Sequence, residues 1–155
     1  MIYPPTLILR HRRENRKKCS LTPLEKRSDC KFFTYPQTTL PDLSSHLLLK
    51  IGAPPLTKAD QPKGILILDG TWRLAKVMEG QVPPNIEARS LPSDFQTAYP
   101  RRQTECPDPT AGLSSLEALF IAYWVLERPL DELLDHYYWK DLFFERNPRL
   151  LKPFS

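Results

Sequence analysis

Three side chains able to do chemistry follow the most apolar run of the sequence. Residues 64–68 are Gly-Ile-Leu-Ile-Leu, and Asp69, Gly70, Thr71 and Trp72 come directly after them. Such a run is typical of a buried parallel strand, and α/β sheets bind ligands at the carboxyl ends of their strands. Asp69 can accept a proton there, or it can be a helix N-cap. Thr71 can bind an anion or cap the helix, and Trp72 can stack on a ligand or pack in the core.

A second group of candidate residues lies where another helix is predicted to begin. Ser114 and Glu117 have the spacing of a capping box, in which the acid accepts a hydrogen bond from the cap's own N–H. A helix N-terminus also favours anions. Ser114, Ser115 and Glu117 can therefore form a cap, part of a ligand site, or both.

Basic residues are concentrated near the N-terminus. The formal net charge is +4 and the pI is about 9.0. One short segment holds nine cationic side chains, Arg10, Arg12, Arg13, Arg16, Lys17, Lys18, Lys26, Arg27 and Lys31. Such a block indicates a surface that binds nucleic-acid phosphates, the alternative being a solvated face that keeps the protein soluble. Arg101 and Arg102 form a second basic pair, in a predicted loop, with the same two alternatives.

Short apolar runs alternate with helical patterns along the chain. Strands are predicted over residues 6–9, 31–35, 64–68 and 86–91, while residues 46–51 fit a strand or a short helix. Residues 14–28 fit a helix broken by Pro23 or an ordered loop. Helices are predicted over residues 72–79, from Ser114 or Ser115 to Leu126, and over 130–144, where the aromatic stripe is expected to pack in the core. This alternation predicts an α/β class with a mainly parallel sheet flanked by helices.

Length and composition set broad limits. A chain of 155 residues suits one domain, residues 1–155, with a core of its own. We see no run long enough to span a membrane and no signal peptide, so we expect a cytoplasmic protein. Three cysteines without a CxxC pair indicate reduced thiols. The three histidines are not spaced as ligands either, so we expect no metal.

The ordered set of motifs resembles the DTW family, named for its D-x-T-W motif. The resemblance covers roughly residues 6–128, and no single tetrapeptide in it would be specific. Its motifs are Leu68-Asp69-Gly70-Thr71-Trp72, Leu91-Pro92-Ser93 continuing to Tyr99, and Leu113-Ser114-Ser115-Leu116-Glu117-Ala118, together with residues 9–14, 20–24 and 33–36. Two departures stand out. Arg12 follows His11 where the family commonly has proline, and residues 1–155 contain no cysteine-rich segment with the zinc-ligand spacing found in many bacterial relatives.

The resemblance implies a SPOUT-like fold, often knotted, that binds S-adenosylmethionine and acts on structured RNA as a monomer. Relatives transfer the 3-amino-3-carboxypropyl group to a uridine of tRNA, and more distant relatives modify a uridine of small-subunit rRNA. Asp69 and Trp72 would then be catalytic. The donor would be bound by Leu68, Asp69, Thr71, Leu91, Ser114, Ser115 and Glu117. The RNA would be bound by Arg10, Arg12, Arg13, Arg16, Lys17, Lys18, Arg101 and Arg102.

Two other functions remain open at this point. A methyltransferase of the same fold would use the same donor but would release S-adenosylhomocysteine instead of methylthioadenosine. A non-catalytic RNA-binding or ribosome-assembly module would bind RNA whether or not the donor was present. A nucleotide hydrolase is disfavoured, because the sequence contains no phosphate-binding GxxxxGK[ST] loop.

Overall fold

In the described part of the chain, five parallel strands form one sheet. The computed structural model describes residues 3–13, 20–36, 39–70, 72–98 and 113–154, apart from the side chain of Trp72. The strand order is β2-β1-β4-β3-β5, and every pairing is parallel. The strands are β1 (Thr6–His11), β2 (Cys30–Tyr35), β3 (His46–Leu49), β4 (Gly64–Asp69) and β5 (Glu87–Arg89). The predicted α/β class with a parallel sheet is confirmed.

Alternation along the strands creates a core on each face of the sheet. Ile65 and Ile67 of β4 pack on one face, whereas Leu66 and Leu68 pack on the other. Successive side chains of a strand point to opposite faces, so a continuous apolar run such as β4 is suited to a strand covered on both sides. This accounts for the burial of β4 at the centre of the sheet.

The described residues include three α-helices, namely α1 (Trp72–Glu79), α2 (Ser115–Val125) and α3 (Lys140–Arg146), of which α1 and α2 pack on the sheet. Every residue of α2 from Leu119 to Val125 is buried, as expected of a helix that is apolar all round and packs inside a domain. Short 3-10 helices occur at Thr22–Lys26, Lys58–Asp60 and Pro148–Leu151. The first lies in the 14–28 segment and has proline in its first turn, where the missing N–H costs no hydrogen bond.

The predicted helix over residues 130–144 is wrong. Residues 131–136 form turns, Glu132 has a φ of 64°, and helix begins only at Lys140. Leu133, Leu134 and Tyr137 are nevertheless buried in the main core, so the apolar stripe does pack as predicted. These side chains are buried at helical spacing although the backbone forms turns. Periodicity indicates which residues are buried, but it does not indicate which backbone hydrogen bonds they make.

Two further sequence predictions have different outcomes. The strand predicted over residues 86–91 is shorter, since β5 ends at Arg89 and only a single bridge, between Pro55 and Ser90, continues the pairing. The predicted knot stays a prediction, because residues 99–112, which join the sheet to α2, lie outside the described residues.

Gly64 permits close packing at the start of β4. A Cβ built on Gly64 would lie 2.5 Å from His46 Nε2 and 2.9 Å from Pro4 Cβ. We expect Gly64→Ala to destabilise the protein by about 1–3 kcal/mol, the usual cost of overpacking a core. The unfolding midpoint of Gly64→Ala in urea is compared with that of Gly80→Ala, whose added Cβ would lie 3.3 Å from its nearest neighbour. Equal unfolding midpoints for the two variants would contradict this interpretation.

Cys30 is expected to be unreactive in the folded protein. Burial and the neighbouring Asp29 raise the pKa of its thiol to about 12. At pH 8 the thiolate is then about 10⁻⁴ of the folded population, against roughly a quarter for an unperturbed cysteine. In a Cys19→Ser/Cys106→Ser background, iodoacetamide should alkylate Cys30 at least ~1,000-fold faster in denaturant than in buffer. Similar rates in both conditions, measured by mass spectrometry, would overturn the prediction.

Candidate active site at the carboxyl edge of the sheet

The candidate site lies where the carboxyl ends of β1 and β4 meet. The register of these central neighbours places Arg10 beside Asp69. From β1 the chain leads to β2 on one side of the sheet, whereas from β4 it leads through α1 to β5 at the opposite edge. Divergence of this kind opens a crevice at the strand ends, where open α/β sheets bind their ligands. Asp69 therefore lies where the topology favours a ligand.

A chain of ion pairs joins Glu25, Arg10 and Asp69. Arg10 Nε donates to Asp69 Oδ2 at 3.2 Å, and Arg10 Nη1 donates to Glu25 Oε1 at 2.8 Å. The side chains of Arg10 and Asp69 are 7% and 5% exposed. The guanidinium also lies 4.8 Å from the centre of the Phe32 ring. Arg10 therefore contacts both carboxylates and holds that of Asp69 at the strand end.

The N-terminus of α2 is hydrogen-bonded to the same carboxylate, that of Asp69. Ser115 Oγ donates to Asp69 Oδ1 at 2.8 Å. Ser20 Oγ accepts from the N–H of Leu116 at 3.2 Å, which fixes the segment before the first 3-10 helix. Together these bonds join β1, β4, the 20–26 segment and α2 around one carboxylate. Asp69 is thus oriented by two donors on its two oxygens.

The first backbone N–H groups of α2 are not all engaged. Ser114 caps the helix, its Oγ accepting from the N–H of Glu117 at 3.2 Å, while its own N–H donates to Glu117 Oε1 at 2.9 Å. The predicted capping box is therefore confirmed. Within the described part of the chain, the N–H of Ser115 makes no hydrogen bond. This N–H lies at the positive end of the helix dipole, next to Asp69.

Glu117 is a fully buried carboxylate with four donors. Its exposure is 0%. Oε1 accepts from Ser114 N and from Thr97 Oγ1 at 2.6 Å, and Oε2 accepts from Ala98 N at 2.8 Å and from Tyr137 Oη at 2.9 Å. A carboxylate has about four acceptor positions, so this set fills them. The arrangement makes Glu117 a positioning residue that attaches the 97–98 segment to α2, and not a group that reaches a ligand.

His11 supports the same edge from the end of β1. It is 7% exposed, its ring lies 5.3 Å from that of Tyr35, and its Nδ1 accepts from the N–H of Arg13 at 3.1 Å. Burial, then the charges of Arg13 and Arg12, lower the pKa of the imidazole from its usual value. The ring is therefore neutral at neutral pH, where it packs beside the site without adding charge.

The remaining predicted donor-binding residues are spread along this edge. Leu68 of β4 is partly buried and packs into the smaller core. Leu91 follows the end of β5, two strand spacings or about 10 Å from β4, and neither its N–H nor its C=O bonds to other described residues. Trp72 begins α1, but its side chain, like all of Thr71, lies outside the described residues.

One predicted RNA-binding residue is placed differently. Arg10 is buried and paired with two carboxylates, so it is part of the interior of the site and not of a phosphate-binding surface. Arg12 and Arg13 form an exposed turn after β1, in agreement with a surface role. The other predicted RNA-binding residues lie outside the described residues, namely Arg16, Lys17, Lys18, Arg101 and Arg102.

Sequence reasoning did not assign roles to Glu25, Thr97 or Tyr137. Glu25 carries the second carboxylate of the ion-pair chain, and Thr97 and Tyr137 both donate to Glu117. Glu25 lies next to the 20–24 segment noted for its family resemblance, which was a weak signal. Nothing in the pattern around Thr97 or Tyr137 separates them from ordinary loop and core residues.

Metal clusters and membrane-spanning helices are both absent from the described residues. Among these residues, no group of three or more His, Cys, Asp or Glu side chains is arranged to hold a metal ion. No helix in the described ranges has the length and apolar character needed to cross a bilayer.

The fold and the site place the chain among α/β proteins with an open parallel sheet. Comparison with solved structures adds a particular neighbour, the SAM-dependent rRNA:acp-transferase Tsr3 from Vulcanisaeta distributa. The TM-score is 0.72 at 22% identity, with 97% of this chain and 82% of that chain covered. The two chains share a fold, which agrees with the predicted SPOUT-like class. No protein-family model matches the sequence, and no curated protein matches it.

Proposed function

We propose that this protein is an RNA-modifying transferase that moves the 3-amino-3-carboxypropyl group of S-adenosylmethionine to N3 of a uridine in structured RNA. The observation that carries the proposal is the buried Asp69 carboxylate at the carboxyl end of β4, held by Arg10 and by Ser115 at the start of α2. The shared fold supports it, since the structural neighbour is an acp-transferase that depends on the same donor.

The residues at this edge fit the donor. Its ammonium and sulfonium groups are cationic, and the Asp69 carboxylate is suited to face a cation. Its carboxylate suits the N–H of Ser115 at the helix N-terminus. The main-chain N–H and C=O of Leu91 suit the adenine edge. We also propose that Thr71 binds the donor and that Trp72 packs on the donor or the target base, as the family resemblance implies.

When bound, S-adenosylmethionine supplies a γ-carbon at which the C–S bond breaks, its electron pair leaving on the sulfur of methylthioadenosine. The uracil N3 must give its proton to solvent or to the Asp69 carboxylate before it forms the new N–C bond. Asp69 is also suited to orient the cationic donor, because Arg10 and Ser115 donate to its two oxygens and fix the direction of the carboxylate. Arg10 and Glu25 hold that carboxylate in place, and Ser115 aligns it with α2.

Two RNA classes are candidates for the acceptor. The family resemblance favours tRNA, whereas the structural neighbour is an rRNA transferase, which supports ribosomal RNA as the alternative. We propose that the acceptor is one of these two, and that the protein acts as a monomer in the cytoplasm.

Nucleoside mass spectrometry tests the reaction. Unmodified tRNA and ribosomal RNA are incubated separately with the protein and S-adenosylmethionine, and the small-molecule products are measured. An aminocarboxypropyl gain on uridine, with an equal amount of methylthioadenosine, is the expected result, and the pool that gains the group identifies the substrate. A methyl gain with S-adenosylhomocysteine would instead indicate a methyltransferase. RNA binding without either product on precursor and mature RNAs would indicate a non-catalytic module.

A further inference from the structure

Helix α1 lies along the same edge of the sheet as the candidate site. It begins after Gly70, and a Cβ built on Gly70 would lie 3.2 Å from Leu74 Cβ and 3.6 Å from His11 Cβ. The first half of α1 is therefore next to the end of β1. Its last residue, Glu79, pairs with Lys50, which follows β3, at 3.2 Å. The helix thus reaches from the end of β1 to the end of β3.

The outward face of α1 is basic. Arg73, Lys76 and Val77 are exposed, Val77 being 54% exposed, whereas Met78 is fully buried. Arg12 and Arg13 are exposed on the turn after β1, close to the first half of the helix. Among the described residues, this edge carries five cationic side chains, Lys50 included, and the carboxylate of Glu79, which pairs with Lys50. We call Arg12, Arg13, Arg73 and Lys76 the basic rim.

Charge of the opposite sign lies elsewhere. Residues 127–145 contain six acidic side chains, with Arg128 and Lys140 as the basic ones. Arg128 is 5% exposed, so it contributes little to the surface. A polyanion that approaches the candidate site is therefore attracted along α1 and repelled from the 127–145 segment.

We propose that the basic rim binds the phosphate backbone of the RNA that presents its base to the site. This inference rests on the proposed function and adds Arg73 and Lys76 to the residues that sequence reasoning assigned to RNA. Lysine and arginine side chains that contact phosphates position a nucleic acid without reading its sequence, so the rim suits a structured RNA of either class. The exposed Val77 between the cations can pack against a ribose or an unstacked base.

The salt dependence of RNA binding tests the rim. We compare Arg73→Ala/Lys76→Ala with Lys58→Ala/Lys140→Ala, which removes the same charge from exposed side chains paired with Glu127 and Asp135. The probes are an unmodified tRNA transcript and an unmodified ribosomal RNA fragment, titrated by fluorescence anisotropy over a range of KCl concentrations. The rim variant should lower the slope of log K against log salt by about 1.5 and weaken binding about 30-fold near 0.1 M salt. The control should keep the slope of the unmodified chain.

Three outcomes are distinguishable. An unchanged slope for the rim variant, or an equal loss in the control, would overturn the rim as the binding surface even if transfer were observed. An absence of RNA binding by the unmodified chain would overturn it as well. If the rim variant loses binding as expected but the unmodified chain transfers nothing to either RNA, the rim stands and the proposed reaction fails. Binding of S-adenosylmethionine, measured by calorimetry, should be the same in the rim variant and its control, which checks that both are folded.

Discussion

Replacement of Asp69 by asparagine is expected to lower aminocarboxypropyl transfer by about 100- to 1,000-fold, the usual effect of removing one preorganised charge from an active site. The amide keeps the shape of the side chain and one oxygen, which can still accept from Ser115. It loses the charge that faces the cationic donor and that pairs with Arg10. Transfer rates are measured by methylthioadenosine release with saturating RNA.

The control for this prediction is Asp141→Asn, an exposed carboxylate near the start of α3. It makes the same chemical change far along the chain from the site, and its rate should match that of the unmodified protein. We expect Asp69→Asn to fold, because Arg10 keeps its bond to Glu25, and circular dichroism at the assay temperature checks this. Transfer by folded Asp69→Asn at the rate of the control would remove Asp69 from the mechanism.

Glu117→Gln is expected to destabilise the protein by about 3 kcal/mol. Each oxygen of Glu117 accepts one hydroxyl and one backbone N–H, from Thr97 and Ser114 on one side and from Tyr137 and Ala98 on the other. A glutamine has only one oxygen. The hydroxyls can rotate to accept from its amide, but one backbone N–H must face that amide without an acceptor. A buried N–H without an acceptor destabilises the folded state by its full desolvation free energy.

Thermal unfolding measures the effect. For a chain of this size, about 3 kcal/mol lowers the Tm by roughly 6–12 °C. Glu145→Gln, an exposed residue of α3, is the matched control and should change the Tm little. Equal Tm values for Glu117→Gln and this control would mean that the four hydrogen bonds contribute nothing to folding, contrary to the positioning role inferred for Glu117.

Much of the fold was predictable because its signals are local. The apolar run of β4, the pattern of α1 and the Ser114–Glu117 capping box each depend on residues within one element, and each is confirmed. The prediction of a helix over residues 130–144 was wrong for the same reason. Leu133, Leu134 and Tyr137 can be buried in a common core whether the backbone forms turns or a helix. Local pattern does not distinguish these solutions.

By itself, the sequence determined the α/β class, the position of Asp69 at a strand end and the cap of α2. Only the tertiary structure decided what surrounds Asp69. Arg10 had been assigned to a basic surface with its neighbours, but its partners Glu25 and Asp69 lie 15 and 59 residues away. The donors to Glu117 from Thr97, Ala98 and Tyr137 lie 19 or 20 residues away. Contacts across such separations depend on strand order and helix docking, which residue types and their spacing do not specify.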